Sequence, residues 1–169
     1  MSSSDEIRAG EDAAQLIPVI RPTARAIIIR QQRILLLRKH YAEFGERFAL
    51  PGGAQEPTES LHQALQRECE EEIGTRVEIG PLLHVADYFK QRETEPPTRR
   101  HLLEMLCRCQ VPSDYVPRNG HHPDRHQVAV IWADLAAIPG MPLFPPYLAT
   151  CLAHLDMPDR PLYLGKVES

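Results

Sequence analysis

The stretch Ser60-Leu61-His62-Gln63-Ala64-Leu65-Gln66-Arg67-Glu68-Cys69-Glu70-Glu71-Glu72-Ile73-Gly74 has no glycine or proline before its last residue and is dominated by helix formers. It predicts a helix over about residues 60–73 closed by Gly74, because glycine enters a left-handed C-cap without steric cost. At about 100° per residue from Leu61, Ala64, Leu65 and Cys69 fall near ~300°, ~40° and ~80°, which centres the buried stripe near ~10°. Glu68 then lies near ~340°, Glu72 near ~20° and Glu71 near ~280°, while Gln63, Gln66 and Glu70 sit on the outward side near ~140–200°. Three glutamates therefore lie on or beside the inward stripe, and only Glu70 reads as an ordinary surface charge.

Between Glu56 and Glu72 there are six carboxylates (Glu56, Glu59, Glu68, Glu70, Glu71, Glu72) and one base, Arg67. The chain average predicts about two acids over that window, so acid is concentrated here; a solvated face is the competing reading, and the inward position of three of the glutamates counts against it. Carboxylates converging on a partly buried face repel one another and lose hydration unless positive charge is supplied. Arg67 can orient one of them. A hard divalent ion with oxygen ligands, Mg²⁺ or Mn²⁺, suits the cluster better, and such an ion shares its shell with substrate phosphates. Immediately upstream, Pro51-Gly52-Gly53 halts a short strand at Phe48-Ala49-Leu50 and lets backbone approach a ligand closely.

The spacing Gly53, five residues, Glu59, seven residues, then Arg67-Glu68-Cys69-Glu70-Glu71-Glu72-Ile73-Gly74 resembles the signature of the Nudix hydrolases. Every fixed Gly, Glu and Arg of that signature is in place. Cys69 and Thr75 stand where the family prefers aliphatic residues. The resemblance extends over about residues 21–156, through a hairpin before the Gly-Gly pair, a later strand ending in Trp132 and a final helix. It implies an α/β fold, a Nudix-type α/β/α sandwich with a mixed β-sheet. It also implies Mg²⁺-dependent cleavage (Mn²⁺ serving as well) of a phosphoanhydride bond in a nucleoside diphosphate linked to another moiety. The open substrates are a nucleotide sugar, ADP-ribose, a dinucleoside polyphosphate or a non-standard nucleoside triphosphate. By the same resemblance Glu68, Glu71 and Glu72 are the metal ligands, and Glu68, Glu71, Arg67 and Glu59 form the catalytic set, with Arg67 orienting the cluster and Glu59 in a supporting or ligand role. Family members are frequently homodimers. The alternative is a regulatory nucleotide-binding module that kept the motif without the activity.

Further out, Ala26-Ile27-Ile28-Ile29 and Ile34-Leu35-Leu36-Leu37 flank Gln31-Gln32 and read as a β-hairpin, although Gln-Gln is a poor tight-turn pair. Strands are expected at residues 82–88, 101–111 and 127–132, with exposed loops at 91–100 and 116–125. Short helices are expected near residues 133–138 and 146–155. Residues 1–16 read as a flexible tail, 17–156 as the hydrolase domain, and 157–169, after Pro158, as a C-terminal tail. Candidate substrate contacts are the Gly52 and Gly53 backbone, Arg25 and Arg47, with Arg21 near them, for phosphate oxygens. Glu104 and Asp124 are candidates for a further carboxylate outside the motif. Tyr88, Phe89 and Trp132 are candidates to stack a base, with core packing as the competing role. His121, His122 and His126 read as a solvated loop. Lys90 stands where ADP-ribose-cleaving members tend to carry proline.

A chain of 169 residues with 25% charged and 43% hydrophobic residues forms one domain with a sizeable core. Its net charge of −4 disfavours general nucleic-acid binding. No aliphatic run approaches the roughly 20 residues of a membrane span. The start, Met1-Ser2-Ser3-Ser4-Asp5-Glu6, is not that of a secretory signal, so the cytoplasm is the expected location. The four cysteines, without a C-x-x-C pair, read as small buried hydrophobes.

Overall fold

Strands that are aliphatic at consecutive positions have no polar face and must be covered on both sides. The computed structural model describes residues 19–168; the expected tail 1–16 lies outside the described residues. Strands β1 (Arg21–Arg30) and β2 (Arg33–Tyr41) form the expected hairpin. Ala24, Ala26 and Ile28 of β1 and Leu35 and Leu37 of β2 enter one core, whereas Ile27, Ile34 and Leu36 enter the other. Helix α1 (Leu61–Ile73) closes the first core with Leu65, Cys69 and Ile73. Helix α2 (Leu148–Ala153) and the 3₁₀ segment Leu135–Gly140 close the second with Leu148, Cys151, Leu152 and Ile138. The result is an α/β/α sandwich.

The remaining strands are β3 (Gly45–Ala49), β4 (Gly52–Ala54), β5 (Glu78–Arg92), β6 (Thr98–Gln110), β7 (Gln127–Asp134) and β8 (Tyr163–Glu168). They form a mixed sheet in the order β3-β2-β1-β6-β5-β8, with β4 on β1 and β7 on β2. The pairs β1–β6 and β5–β8 are parallel, and the rest are antiparallel.

Gln31 and Gln32 adopt φ of 50° and 60°, the left-handed pair a two-residue hairpin turn requires, so these poor turn residues are held by the strands they join. The hairpin pairs only near its tip, through Ile29–Ile34 and Arg30–Arg33. Below that point β1 pairs with β4 and β6, and β2 pairs with β3 and β7. The hairpin therefore splays, and a cleft opens along the first half of β1. Strand β4 carries no strand signal, being Gly-Gly-Ala; Gly52 is required because its φ is +130° and a Cβ would lie 2.0 Å from the Ala24 carbonyl oxygen.

The sequence reading needs correction in several places. Strands β5 and β6 pair out to Arg92–Thr98, so the loop expected over 91–100 shrinks to residues 93–97. The helix expected near 133–138 is the 3₁₀ segment, and that expected over 146–155 is the shorter α2. Within the expected C-terminal tail 157–169, Tyr163–Glu168 form β8 along β5. The hydroxyl of Tyr163 donates to Asp87, His101 Nε2 lies 2.6 Å from the same carboxylate, and Arg99 meets Glu168 at 2.7 Å. These partners lie far from β8 in sequence, and none has a local signal. All four cysteines are free and buried. No described helix is long and apolar enough to cross a membrane.

Hydrogen bonds from Tyr163 and His101 hold the Asp87 carboxyl below the usual carboxylate range. The linkage is therefore intact above the ordinary carboxylate pKa of about 4 and is lost as pH falls through the depressed value. Asp87→Asn should accelerate amide hydrogen exchange across residues 163–168 several-fold while leaving β1 and β6 protected; unchanged exchange there would show that β8 does not need this carboxylate.

Candidate active site

Both ends of α1 are closed by side chains and loops. Ser60 Oγ accepts the Gln63 N–H and Gln63 Oε1 accepts the Ser60 N–H, a reciprocal cap. At the other end Gly74 is left-handed, with φ 69°. The last turn would leave carbonyls without partners, and the loop before β7 supplies them. Tyr115 Oη donates to Ile73 O at 2.8 Å, Gly120 N to Glu72 O at 3.0 Å, His122 N to Glu71 O at 3.0 Å and Gln127 Nε2 to Glu72 O at 2.8 Å. The turn bearing Glu71 and Glu72 is thereby locked. Thr75 does not disturb it, because Val77 enters the core in its place, its N–H bonded to Gln66 Oε1 at 3.0 Å.

Arg67 gathers three of the acids. Its Nε and Nη2 grip Glu59 at 2.6 and 3.1 Å, and its Nη1 meets Glu68 at 3.0 Å and Glu71 at 3.5 Å. Nη2 also donates to Ala54 O at 3.0 Å, tying the cluster to β4. The forked contact with Glu59 raises the guanidinium above its ordinary pKa and lowers the Glu59 carboxyl.

Glu72 stands apart from Arg67 and is 5% exposed. Its carboxylate accepts the Gly52 N–H at 2.8 Å. Burial pushes its pKa up to about 7, against the opposing effects of that hydrogen bond and of Arg25 and Lys39. Gly53 leaves room for Glu68, since a Cβ there would lie 2.5 Å from Glu68 Oε1. The Gly-Gly turn thus cradles two of the acids predicted to face inward.

The cleft beside this cluster has a volume of about 500 Å³. Glu68, Glu72, Gly52, Gly53, Arg25, Arg47, Glu104 and Asp124 all line it; Glu71 stands at 24% side-chain exposure beside Arg67 and does not. Arg25 Nη1 donates to Gly52 O at 2.6 Å, and its Nε lies 3.5 Å from Glu104. Glu104 is fully buried on β6 and accepts the Tyr147 hydroxyl proton. Asp124 is 3.2 Å from Lys39 Nζ; burial would raise its carboxyl, but Lys39 and the His126 N–H hold it below the usual range. Arg47 donates to the carbonyls of Phe44 and Glu46 at 3.0 and 2.9 Å. Among the described residues no three His, Cys, Asp or Glu side chains already form a group able to hold an ion; Arg67 draws Glu68 and Glu71 toward itself.

Sequence reasoning missed Lys39, Tyr41 and Tyr147. Lys39 and Tyr41 end a strand whose aliphatic run concealed its polar finish, and Tyr147 reaches Glu104 only through tertiary packing. Tyr88 is 1% exposed with its ring 5.9 Å from that of Tyr147, Phe89 stacks on His101 at 4.4 Å, and Trp132 packs against the α1 core. The aromatic pocket that opens beside the cleft is instead lined by Tyr41, Phe44 and Phe144. His121 and His122 are exposed, whereas His126 stacks on Tyr41 at 4.2 Å.

A family profile described as the NUDIX domain matches residues 19–153. A search of curated proteins returned no match. Among solved structures, a NUDIX hydrolase from Nitrosomonas europaea is similar at TM-score 0.66 and 19% identity, covering 90% of this chain and 81% of that one. A MutT NUDIX hydrolase from Burkholderia pseudomallei is similar at TM-score 0.59 and 25% identity, covering 82% and 99%. An ADP-ribose pyrophosphatase from Streptococcus suis is similar at TM-score 0.56 and 18% identity, covering 89% and 100%.

Two glycines separate fold from site. In Gly120→Ala the new Cβ would meet the Glu71 carbonyl oxygen at 2.2 Å, a backbone obstacle, and thermal unfolding should register a loss of about 1–3 kcal/mol. In Gly53→Ala the nearest atoms to the new Cβ belong to the movable Glu68 carboxylate, so Tm should change less than in Gly120→Ala while Glu68 is displaced. A larger Tm loss at Gly53 than at Gly120 would contradict this account.

Proposed function

The chain belongs to the Nudix family, and on that footing we propose that it is a Mg²⁺-dependent pyrophosphohydrolase. Its substrate is a nucleoside diphosphate linked to another moiety. The observation that carries this reading is the arrangement of Glu68 and Glu72 on the wall of a cleft whose other charged groups are mostly cationic. Diphosphate chemistry needs that division: acids to hold a divalent ion and bases to hold phosphate oxygens.

The donor set fits a hard divalent ion. Glu72 is a buried carboxylate whose burial opposes ionisation, so a cation at its side relieves a standing electrostatic cost. Glu68 and Glu71 offer further oxygens once they rotate from Arg67, which retains Glu59 as its partner. When bound, Mg²⁺ or Mn²⁺ supplies Lewis acidity and a water of lowered pKa.

The chain's own groups do the rest. Arg67, anchored on Glu59 and Ala54, orients Glu68 and Glu71, either of which can take the proton of the attacking water. Arg25, Arg47 and Lys39 meet the phosphate oxygens, and the Gly52-Gly53 turn allows the diphosphate to approach the backbone. Glu104 is enclosed between Arg25 and Tyr147 and so aims the Arg25 guanidinium. Asp124 aims Lys39 in the same way.

The test is a panel of nucleotide sugars, ADP-ribose, dinucleoside polyphosphates and nucleoside triphosphates with Mg²⁺, read by product mass. Glu68→Gln and Glu71→Gln should each lower kcat about 10²–10⁴-fold with the fold retained by circular dichroism. Unchanged kcat in both variants would refute the assignment, as would binding without turnover across the panel.

A further inference from the structure

The floor of the cleft consists of rows of paired residues. Strand register sets Thr23 and Ala86 beside Glu104, then Arg21 and Tyr88 beside Leu102, then Lys90 beside Arg100. Glu104, Leu102 and Arg100 alternate along β6 and therefore share a face, and all three line the cleft. Arg100 lies four residues from Glu104, about 13 Å along the strand at about 3.3 Å per residue. The acids, Gly52 and Arg25 occupy one end of this floor and Arg100 and Arg21 the other, while Lys90, beside Arg100 in register, also feels the charges of Arg25 and Lys39.

The two ends differ in how their charge is balanced. Arg25 has Glu104 and Lys39 has Asp124. Among the described residues, no carboxylate forms an ion pair with Arg21, Lys90 or Arg100. Burial lowers the Lys90 ammonium, and Arg25, Lys39 and Arg100 lower it further; burial, Arg92 and Arg21 act likewise on Arg100. Asp124 acts on Lys90 in the opposite direction, and the Phe144 ring lies 5.3 Å from Nζ. A chain of net charge −4 thus holds like charges together against their repulsion, with Arg100 and Arg21 at the end of the cleft away from Glu104, and Lys90 between them and Arg25. A diphosphate bound between Arg25 and the acids leaves this end unneutralised.

We propose that Lys90, Arg100 and Arg21 form a second anion subsite, which takes a phosphate group additional to the diphosphate that is cleaved. This rests on the hydrolase reading above and narrows its substrate class. A ligand of two esterified phosphates leaves the subsite empty. A ligand with a longer phosphate chain fills it, and so does one with a separate phosphomonoester on its nucleoside.

Two matched pairs distinguish these sources. Diadenosine diphosphate against diadenosine tetraphosphate tests the longer chain, and NAD⁺ against NADP⁺ tests the separate monoester. With Mg²⁺, kcat/KM should favour the extra phosphate at least tenfold in one pair, and that pair identifies the source. In the Lys90→Ala/Arg100→Ala double variant the preference should fall below threefold, while the member lacking the extra phosphate keeps its kcat/KM within about twofold. Equal use of both members in both pairs overturns the subsite, and so does a preference that survives the double variant. If no member is hydrolysed, the wider substrate panel above decides the hydrolase reading and binding decides the subsite. Calorimetric Kd values for the same four ligands, on parent and double variant, then decide the subsite by the same ratios. If the double variant does not fold, Lys90→Gln and Arg100→Gln taken singly should each weaken the preference, and a full preference in both overturns it.

Discussion

Glu59, Glu68 and Glu71 each direct an oxygen at the Arg67 guanidinium, at 2.6, 3.0 and 3.5 Å. A helix that gathers acids on one side would otherwise repel itself apart, and a delocalised cation with five donors is the side chain best able to hold several carboxylates in fixed geometry. Because Arg67 also binds the Ala54 carbonyl, the same contact locks the helix to the Gly-Gly turn. Glu72 lies beyond its reach and is buried against the Gly52 N–H. Among the described residues no cationic side chain meets Glu72 at ion-pair distance, at the place where a divalent ion would be useful.

That arrangement depends on the splayed hairpin. If β1 and β2 paired along their whole length, β4 would have no edge to join and the Gly-Gly turn no seat beside Glu68 and Glu72. The separation below Ile29–Ile34 creates both. It also exposes the polar ends of two strands whose middles are buried on both faces, so that Arg25 and Lys39 come from the same hairpin as the aliphatic core. The capping loop from Tyr115 to Gln127 completes the frame by binding the carbonyls of Ile73, Glu71 and Glu72.

Much of this was legible in the residues. The helix and its closure at Gly74 follow from residues 60–74, and the wheel placed Glu72 inward and Glu70 outward. In the structure Glu72 is buried and Glu70 pairs with the exposed Arg76. The two-sided burial of β1 and β2 was implicit in their unbroken aliphatic runs. The misses share a cause. Strand β4 is three residues without propensity, β8 follows two prolines, and the 91–100 segment carries Pro96-Pro97. For β4 and β8 pairing with a distant strand overrode local preference, and at 91–100 the extended β5–β6 ladder did.

Sequence by itself determined the acidic helix, its termini, its inward face and the glycine turn before it, since each depends on residues within a few turns of one another. Tertiary structure alone decided which cations meet the acids, why Glu104 is enclosed between Arg25 and Tyr147, and that Lys90 stands beside Arg100. Those relations are matters of strand register and order. Backbone hydrogen bonds that set them are the same whichever side chains they carry, so the chain spells out the strands without stating which ones lie side by side.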